Sequence, residues 1–187
     1  MKQMIKLGLT LSAYAVAACL VLALTNNFTK PFIEERAQAE LKQSLGEVFS
    51  EAASFEEIKV TSNGVTNYYE AKNSAGDTIG AVVVAEGKTY DHAKIAIGFK
   101  KDSDLTITGM KFLELSDSPG FGQRAADPNE KVKSGKTFYG QFAGKKASDG
   151  FTVNKTYDAV SGATITSTSV GRILTNAANC AKRNLLK

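Results

Sequence analysis

Asp158-Ala159-Val160-Ser161-Gly162-Ala163-Thr164 separates two patterns in this chain. Before it, Phe151-Thr152-Val153-Asn154-Lys155-Thr156-Tyr157 is β-prone. After it the spacing is helical. Apolar residues fall at Ile165, Val170, Ile173, Leu174, Ala177, Ala181 and Leu185, with Ser169, Arg172, Asn176, Asn179, Lys182 and Arg183 on the other face. The seven residues therefore read as a turn that delivers hydroxyls to the start of a helix. Gly162 lets the backbone approach another group closely. A helix N-terminus carries unpaired N–H groups and the positive end of the dipole, which suits a phosphate. Thr164, Thr166, Ser167 and Thr168 put hydroxyls beside those groups. Pattern alone also fits a helix cap at Thr164 or Ser167, the commoner use of such residues.

Working upstream, Ser116-Asp117-Ser118-Pro119-Gly120-Phe121-Gly122 is a tight turn in which backbone N–H groups can face a ligand. By itself it reads as an ordinary surface turn. Ahead of it, residues 66–72, 78–86, 93–101 and 105–115 read as strands. Asn73-Ser74-Ala75-Gly76-Asp77 and Asp102-Ser103-Asp104 supply turns between pairs of them. Ile79, Ala81, Val83 and Ala85 alternate with Val82 and Val84, as in a strand buried on both faces. Antiparallel hairpins followed by a closing helix predict an α+β domain over residues 56–187. Lys131, Lys133, Lys136, Lys145 and Lys146 surround Phe138 and Phe142, which reads as a solvated surface over buried aromatics.

The first residues differ in kind. Lys2 and Lys6 precede an uncharged run from Leu7 to Leu24. At about 1.5 Å per residue such a run approaches the thickness of a bilayer's hydrocarbon core. Residues 1–26 therefore read as a cytoplasmic head and transmembrane anchor in a lipid bilayer, with the rest of the chain outside the cytoplasm. Val16-Ala17-Ala18-Cys19 also resembles a lipobox, which would make Cys19 a lipid anchor. The apolar run continues through Leu20 to Leu24, and a lipoprotein usually turns polar after its Cys. Thr25 to Pro31 reads as an exit, with Pro31 in the first turn of a new helix. Residues 27–55 read as a juxtamembrane amphipathic connector, with Ile33, Ala37, Leu41, Leu45, Val48 and Phe49 apolar and Glu35, Arg36, Glu40 and Lys42 polar.

Composition narrows the functional classes. The 187 residues are 43% hydrophobic and 22% charged, so the chain has a core to bury. A net charge of +4 is too mild to argue for nucleic acid, and no recognition motif supports it. Cys19, Cys180 and His92 are far apart in sequence and form no metal-binding spacing. No acid–base pair or nucleophile stands out, so no catalytic residue is assigned.

Asp158-x-x-Ser161-Gly162-Ala163-Thr164 resembles the flavinylation motif of the FMN-binding domain family. Members include the G subunit of the Rnf electron-transport complex and the C subunit of the sodium-pumping NADH:quinone oxidoreductase. The resemblance implies that FMN is joined through its phosphate to the hydroxyl of the motif's last Thr, here Thr164. It also implies a separate flavin transferase that takes FMN from FAD and recognises the site with the help of the motif's Asp, here Asp158. The family's second motif, Glu-Thr-Pro-Gly-Leu-Gly, is similar to Asp117-Ser118-Pro119-Gly120-Phe121-Gly122. Asp, Ser and Phe replace Glu, Thr and Leu and keep charge, hydroxyl and apolar character. The implied cofactor-side residues are Thr164, Ser161, Gly162, Ala163, Thr166, Ser167, Ser118, Gly120, Phe121 and Gly122.

The expectation is thus a membrane-anchored flavoprotein subunit of an Rnf-type ion-translocating ferredoxin:NAD oxidoreductase, partnered by other membrane subunits. The alternatives are the C subunit of the quinone reductase, whose chain is typically longer, a stand-alone extracytoplasmic electron shuttle or lipoprotein, and a binding module with a vacant turn.

Overall fold

The computed structural model describes residues 2–186; Met1 and Lys187, the ends of the expected head and closing domain, lie outside the described residues. Contacts divide the chain into two units, Met1–Lys42 and Gln43–Lys187. The first unit is helical. It belongs to α1 (Lys2–Val48), which is long and apolar enough to cross a membrane by length and composition. Side chains from Met4 to Leu24 along it are exposed. The expected break at residues 25–31 is absent: Pro31 lies inside the helix. A proline removes one backbone donor. Here the helical bonding on either side carries the element through, and the Thr25 and Thr29 hydroxyls bond back to Val21 (2.9 Å) and Thr25 (2.8 Å) carbonyls.

The second unit is a meander. Strands β1 (Ser54–Ile58), β2 (Val65–Lys72), β3 (Thr78–Gly87), β4 (Ala93–Lys100) and β5 (Ile107–Leu115) pair antiparallel in sequence order. Four of them lie where alternation and turn residues put them. The β2–β3 turn shows why: Asn73 Oδ1 accepts the amides of Ala75 and Asp77, both at 2.9 Å, and Gly76 takes a φ of +89°. β1 is a strand that the pattern did not announce, and the expected boundary at 55/56 falls inside it.

Both faces of the sheet are covered, as the unbroken burial of Ala81 to Ala85 requires. On one face Tyr68, Ala81, Val83, Ile95, Ile97 and Phe99 cluster with Val170, Ile173, Leu174, Ala177 and Ala181 of α2 (Thr164–Leu185). On the other, the segment from Leu45 to Phe49 lies on Gly98 and Gly109, which sit opposite each other in the β4–β5 register. A Cβ at either glycine would lie 3.0 Å from the Val48 carbonyl oxygen. That carbonyl accepts the Thr108 hydroxyl at 2.6 Å. The Glu47–Lys111 and Glu51–Lys100 pairs flank this contact at 2.6 and 2.7 Å.

Residues 116–163 connect β5 to α2 with three short 3-10 turns, Gly122–Ala126, Tyr139–Gln141 and Ala147–Asp149. Phe138, Phe142 and Tyr157 form their buried centre, with the Phe142 and Tyr157 ring centroids 5.0 Å apart. The lysines of this region lie at its surface, except Lys145, which is half-buried. On α2, Ile165 is exposed and Ser169 is buried, the reverse of their places in the helical pattern.

Candidate functional site

The two motif turns meet at the N-terminus of α2. Asp117, at the start of the first, is buried and accepts several hydrogen bonds. Its Oδ1 takes the Thr89 hydroxyl at 2.6 Å and the Asp91 amide at 2.8 Å, and its Oδ2 takes the Thr166 hydroxyl. One carboxylate thus ties the β3–β4 connection, the Pro-Gly turn and the helix start together. Burial pushes the Asp117 carboxyl up. Its hydrogen bonds from the Asp91 amide, Thr166, Thr89 and the Tyr90 amide outweigh that and hold its pKa below the ordinary 3.8.

Gly122 closes against this carboxylate. A Cβ there would lie 2.5 Å from Asp117 Cβ and 2.7 Å from Thr166 Oγ1, so no side chain fits. The close approach that this glycine permits is therefore to Asp117 and Thr166. Gly120 is exposed, has a φ of +76°, and has open space where a side chain would go.

The second turn is held from outside. The buried Gln141 side chain bonds the backbone of Asp158 in both directions, accepting its N–H at 2.7 Å and donating to its carbonyl at 3.0 Å. Arg124 Nη1 donates to the Ser161 carbonyl at 2.8 Å, and its Nη2 bonds Glu130. Ser167, fully buried, donates to the Ala163 carbonyl at 2.9 Å and accepts the Val160 amide at 3.1 Å. The Tyr157 hydroxyl donates to the Ser167 carbonyl at 2.7 Å, and burial pushes its pKa up to about 12. Gly162 has a φ of +79°, a conformation that glycine adopts without strain.

These contacts sort the hydroxyls at the helix start. Those of Thr166 and Ser167 are buried and bonded, and that of Thr168 bonds the Thr164 carbonyl at 2.8 Å. Ala163, not a threonine, occupies the N-cap position, and no side chain caps the helix. Thr164 is exposed at the first helical position.

Thr164 opens on a groove of about 550 Å³ lined by Tyr90, Ser118, Pro119, Phe121, Gly122 and residues 162–166. That size lies in the range of about 300–1,000 Å³ usual for cofactor clefts. The groove has an apolar rim: Tyr90, Phe121 and Ile165 are 65%, 63% and 60% exposed. In the second unit they are joined as exposed large hydrophobics only by Leu186, among the described residues. A flat aromatic ring beside a phosphate fits this combination: apolar walls, a free hydroxyl, and first-turn amides that a helix leaves unpaired. A larger share of the sequence-derived residues reaches the groove than misses it. Ser118, Phe121, Gly122, Gly162, Ala163, Thr164 and Thr166 line it, and Gly120 and Ser161 flank it in the two turns. Ser167 is sealed beneath, and Asp158 lines a separate polar concavity of about 280 Å³. A third concavity, about 420 Å³ against β5, receives none of them.

Tyr90, Arg124 and Gln141 were not singled out by sequence. Tyr90 had a faint signal, a large aromatic between polar residues in a short connection. Arg124 and Gln141 had none, since their partners lie 37 and 17 residues away.

Residues 89–179 match the FMN-binding domain family, and residues 1–48 match the RnfG N-terminal region. The chain is 30% identical over 181 residues to the G subunit of the ion-translocating oxidoreductase complex of Methanosarcina acetivorans, covering 90% of this chain and 89% of that one. It is 28% identical over 191 residues to the G subunit of the Na(+)-translocating ferredoxin:NAD(+) oxidoreductase complex of Acetobacterium woodii, covering 90% and 87%. The crystal structure of Shewanella oneidensis NqrC aligns with a TM-score of 0.49 at 18% identity, over 74% of this chain and 73% of that one.

Proposed function

Because the chain belongs to the family of G subunits of ion-translocating oxidoreductase complexes, we propose that it is the electron-carrying flavoprotein subunit of an Rnf-type complex, with FMN joined covalently to Thr164. The observation that carries this reading is the free hydroxyl of Thr164, exposed on an apolar groove where both motif turns converge. When bound, the flavin supplies the redox chemistry by taking up and releasing electrons. The chain's own residues hold it. Tyr90, Phe121 and Ile165 offer apolar surface to its ring, and Ser118 offers a hydroxyl at the groove wall. The first-turn amides of α2 and the Arg124 guanidinium, whose Nη1 lies 3.7 Å from the point where a Gly162 Cβ would sit, favour the phosphate charge. Thr166 and Ser167 support the turn from inside through their buried bonds.

A flavin transferase loads the site at the motif that Asp158 begins. The name of the Acetobacterium woodii relative, a subunit of a ferredoxin:NAD(+) oxidoreductase complex, supports ferredoxin and NAD as the redox partners of the complex and further subunits beside this chain. The apolar stretch of α1 serves as a single membrane span, and Lys2 and Lys6 ahead of it keep the N-terminus cytoplasmic and put the flavin domain outside. A C-terminal fusion should therefore be active only with an extracytoplasmic reporter; an active cytoplasmic reporter rejects this topology.

The site is tested by co-expression with a flavin transferase. Wild-type protein should be yellow, fluoresce on a denaturing gel, and yield one flavin-bearing peptide that maps to Thr164. Thr164→Ala should lose the fluorescence while folding normally. Thr166→Ala should keep it. A label on another residue, or fluorescence that survives in Thr164→Ala, rejects the assignment.

A further inference from the structure

Asp158 is the acidic residue of the flavinylation motif, yet it does not reach the groove that Thr164 lines. Its surroundings show what its carboxylate does. Oδ2 accepts the Ser134 backbone amide at 2.9 Å, and this is its one side-chain hydrogen bond among the described residues. Lys136, Lys145 and Lys155 line the same concavity, but among the described residues no ion pair joins any of them to Asp158, and Lys145 Nζ instead donates to the Thr156 carbonyl. The partner is a backbone donor, which a neutral carbonyl oxygen in the same place can also serve, though less strongly than a carboxylate.

Ser134 belongs to a small hairpin. Lys131 bridges Thr137, the Val132 amide bonds the Lys136 carbonyl at 2.9 Å, and the Gly135 amide bonds the Val132 carbonyl at 2.8 Å. Just before it, Glu130 bonds Arg124, whose other nitrogen holds the Ser161 carbonyl. Residues 130–137 thus grip the motif at two points, directly at Asp158 and through Arg124 at Ser161. Gln141 fixes the Asp158 backbone between them. Together these bonds leave the chain from Asp158 to Thr164 little freedom at either end.

We propose that Asp158 is a positioning residue for the modification of Thr164: its carboxylate latches the flavin turn to the 130–137 hairpin, and the transferase meets the shape so imposed, not the charge. The proposal rests on the reading of Thr164 as the flavin acceptor. It separates two substitutions that a charge-reading transferase would treat alike. Asp158→Asn removes the charge and keeps a carbonyl oxygen for the Ser134 amide. Asp158→Ala removes both.

The test uses full-length protein purified without flavin, a purified flavin transferase and FAD. Labelling is followed with time on a denaturing gel, and exchange of the Ser134 amide is measured in parallel. Asp158→Asn should be labelled within about twofold of the wild-type rate, whereas Asp158→Ala should be about tenfold slower, as expected for one lost hydrogen bond. Ser134 amide exchange should rise in the Ala variant and stay near wild type in the Asn variant. An Asn variant as slow as the Ala variant overturns the latch and assigns a charge contact to the transferase. An Ala variant as fast as wild type also overturns it. Should Asp158→Ala fail to fold, Asp158→Asn alone decides between shape and charge. Wild-type protein that takes no label on Thr164 overturns the functional reading and this inference with it.

Discussion

The two turns that meet at the groove are built on opposite plans. Ser116 to Gly122 is organised around something buried: Asp117 sits beneath it and gathers donors from two other segments. Asp158 to Thr164 is organised from its flanks, by Gln141, Arg124 and the Ser134 amide, with Ser167 underneath. A buried centre fixes position through desolvated bonds that are costly to break. A set of flanking bonds, several of them exposed, fixes conformation and stays open to visitors. The first plan suits a wall of a binding site. The second leaves its segment accessible, as the proposed loading of Thr164 would require.

The difference predicts unequal sensitivity. Asp117→Ala should have the largest effect, because Thr89, the Asp91 amide and Thr166 all lose their acceptor. Leaving such groups unpaired costs about 3 kcal/mol or more, which lowers the melting temperature by about 6–12 °C in a domain of this size. The same group sets an acid limit. Its folded pKa lies below its ordinary 3.8, so its stabilisation is present above that value and is lost as pH falls through the lower folded one. The melting-temperature gap between wild type and Asp117→Asn should therefore shrink below about pH 4. A gap independent of pH would mean that the carboxylate charge contributes nothing.

Gly122→Val comes next, at about 2 kcal/mol, because the new side chain meets Asp117 and Thr166 within the wall. Circular dichroism melting reads this directly. A melting temperature equal to wild type would show that the turn shifts freely, and would dissolve the contrast between the two plans. Arg124→Gln should be the mildest, about 0.5 kcal/mol, because the Glu130 pair and the Ser161 bond are partly solvated. A loss as large as that of Asp117→Ala would place the second turn under the same regime as the first.

Sequence carried much of this architecture because so much of it is local. The β2–β3 turn, the double burial of β3 and the stripe of α2 each follow from residues near one another. β1 was missed because Ser54-Phe55-Glu56-Glu57-Ile58 is an edge strand that stays largely exposed and has no apolar run to betray it. Pro31 suggested a helix start, but a proline is only a weak stop when the sequence on either side is helical. Ile165 breaks the stripe for a tertiary reason: the helix start faces a groove instead of the sheet; the buried Ser169 instead accepts a hydrogen bond from Arg172 on its own helix. The motif residues were legible as a set, whereas the work of each was not. Asp117 draws its partners from 26 to 49 residues away, and no local pattern announces such a meeting.

The sorting of hydroxyls at the start of α2 also bears on the order of events in the life of the protein. In an unfolded chain Thr164, Thr166, Ser167 and Thr168 are near equivalents, four alcohols within five residues. Folding removes Thr166 and Ser167 from reach and commits the Thr168 hydroxyl to a carbonyl, leaving Thr164 in the open. A transferase that acts at Thr164 therefore gains its choice of alcohol from a finished domain. On the proposed reading of Thr164 as the flavin acceptor, folding would come first and loading second, and a chain that fails to fold would offer a transferase no preferred alcohol.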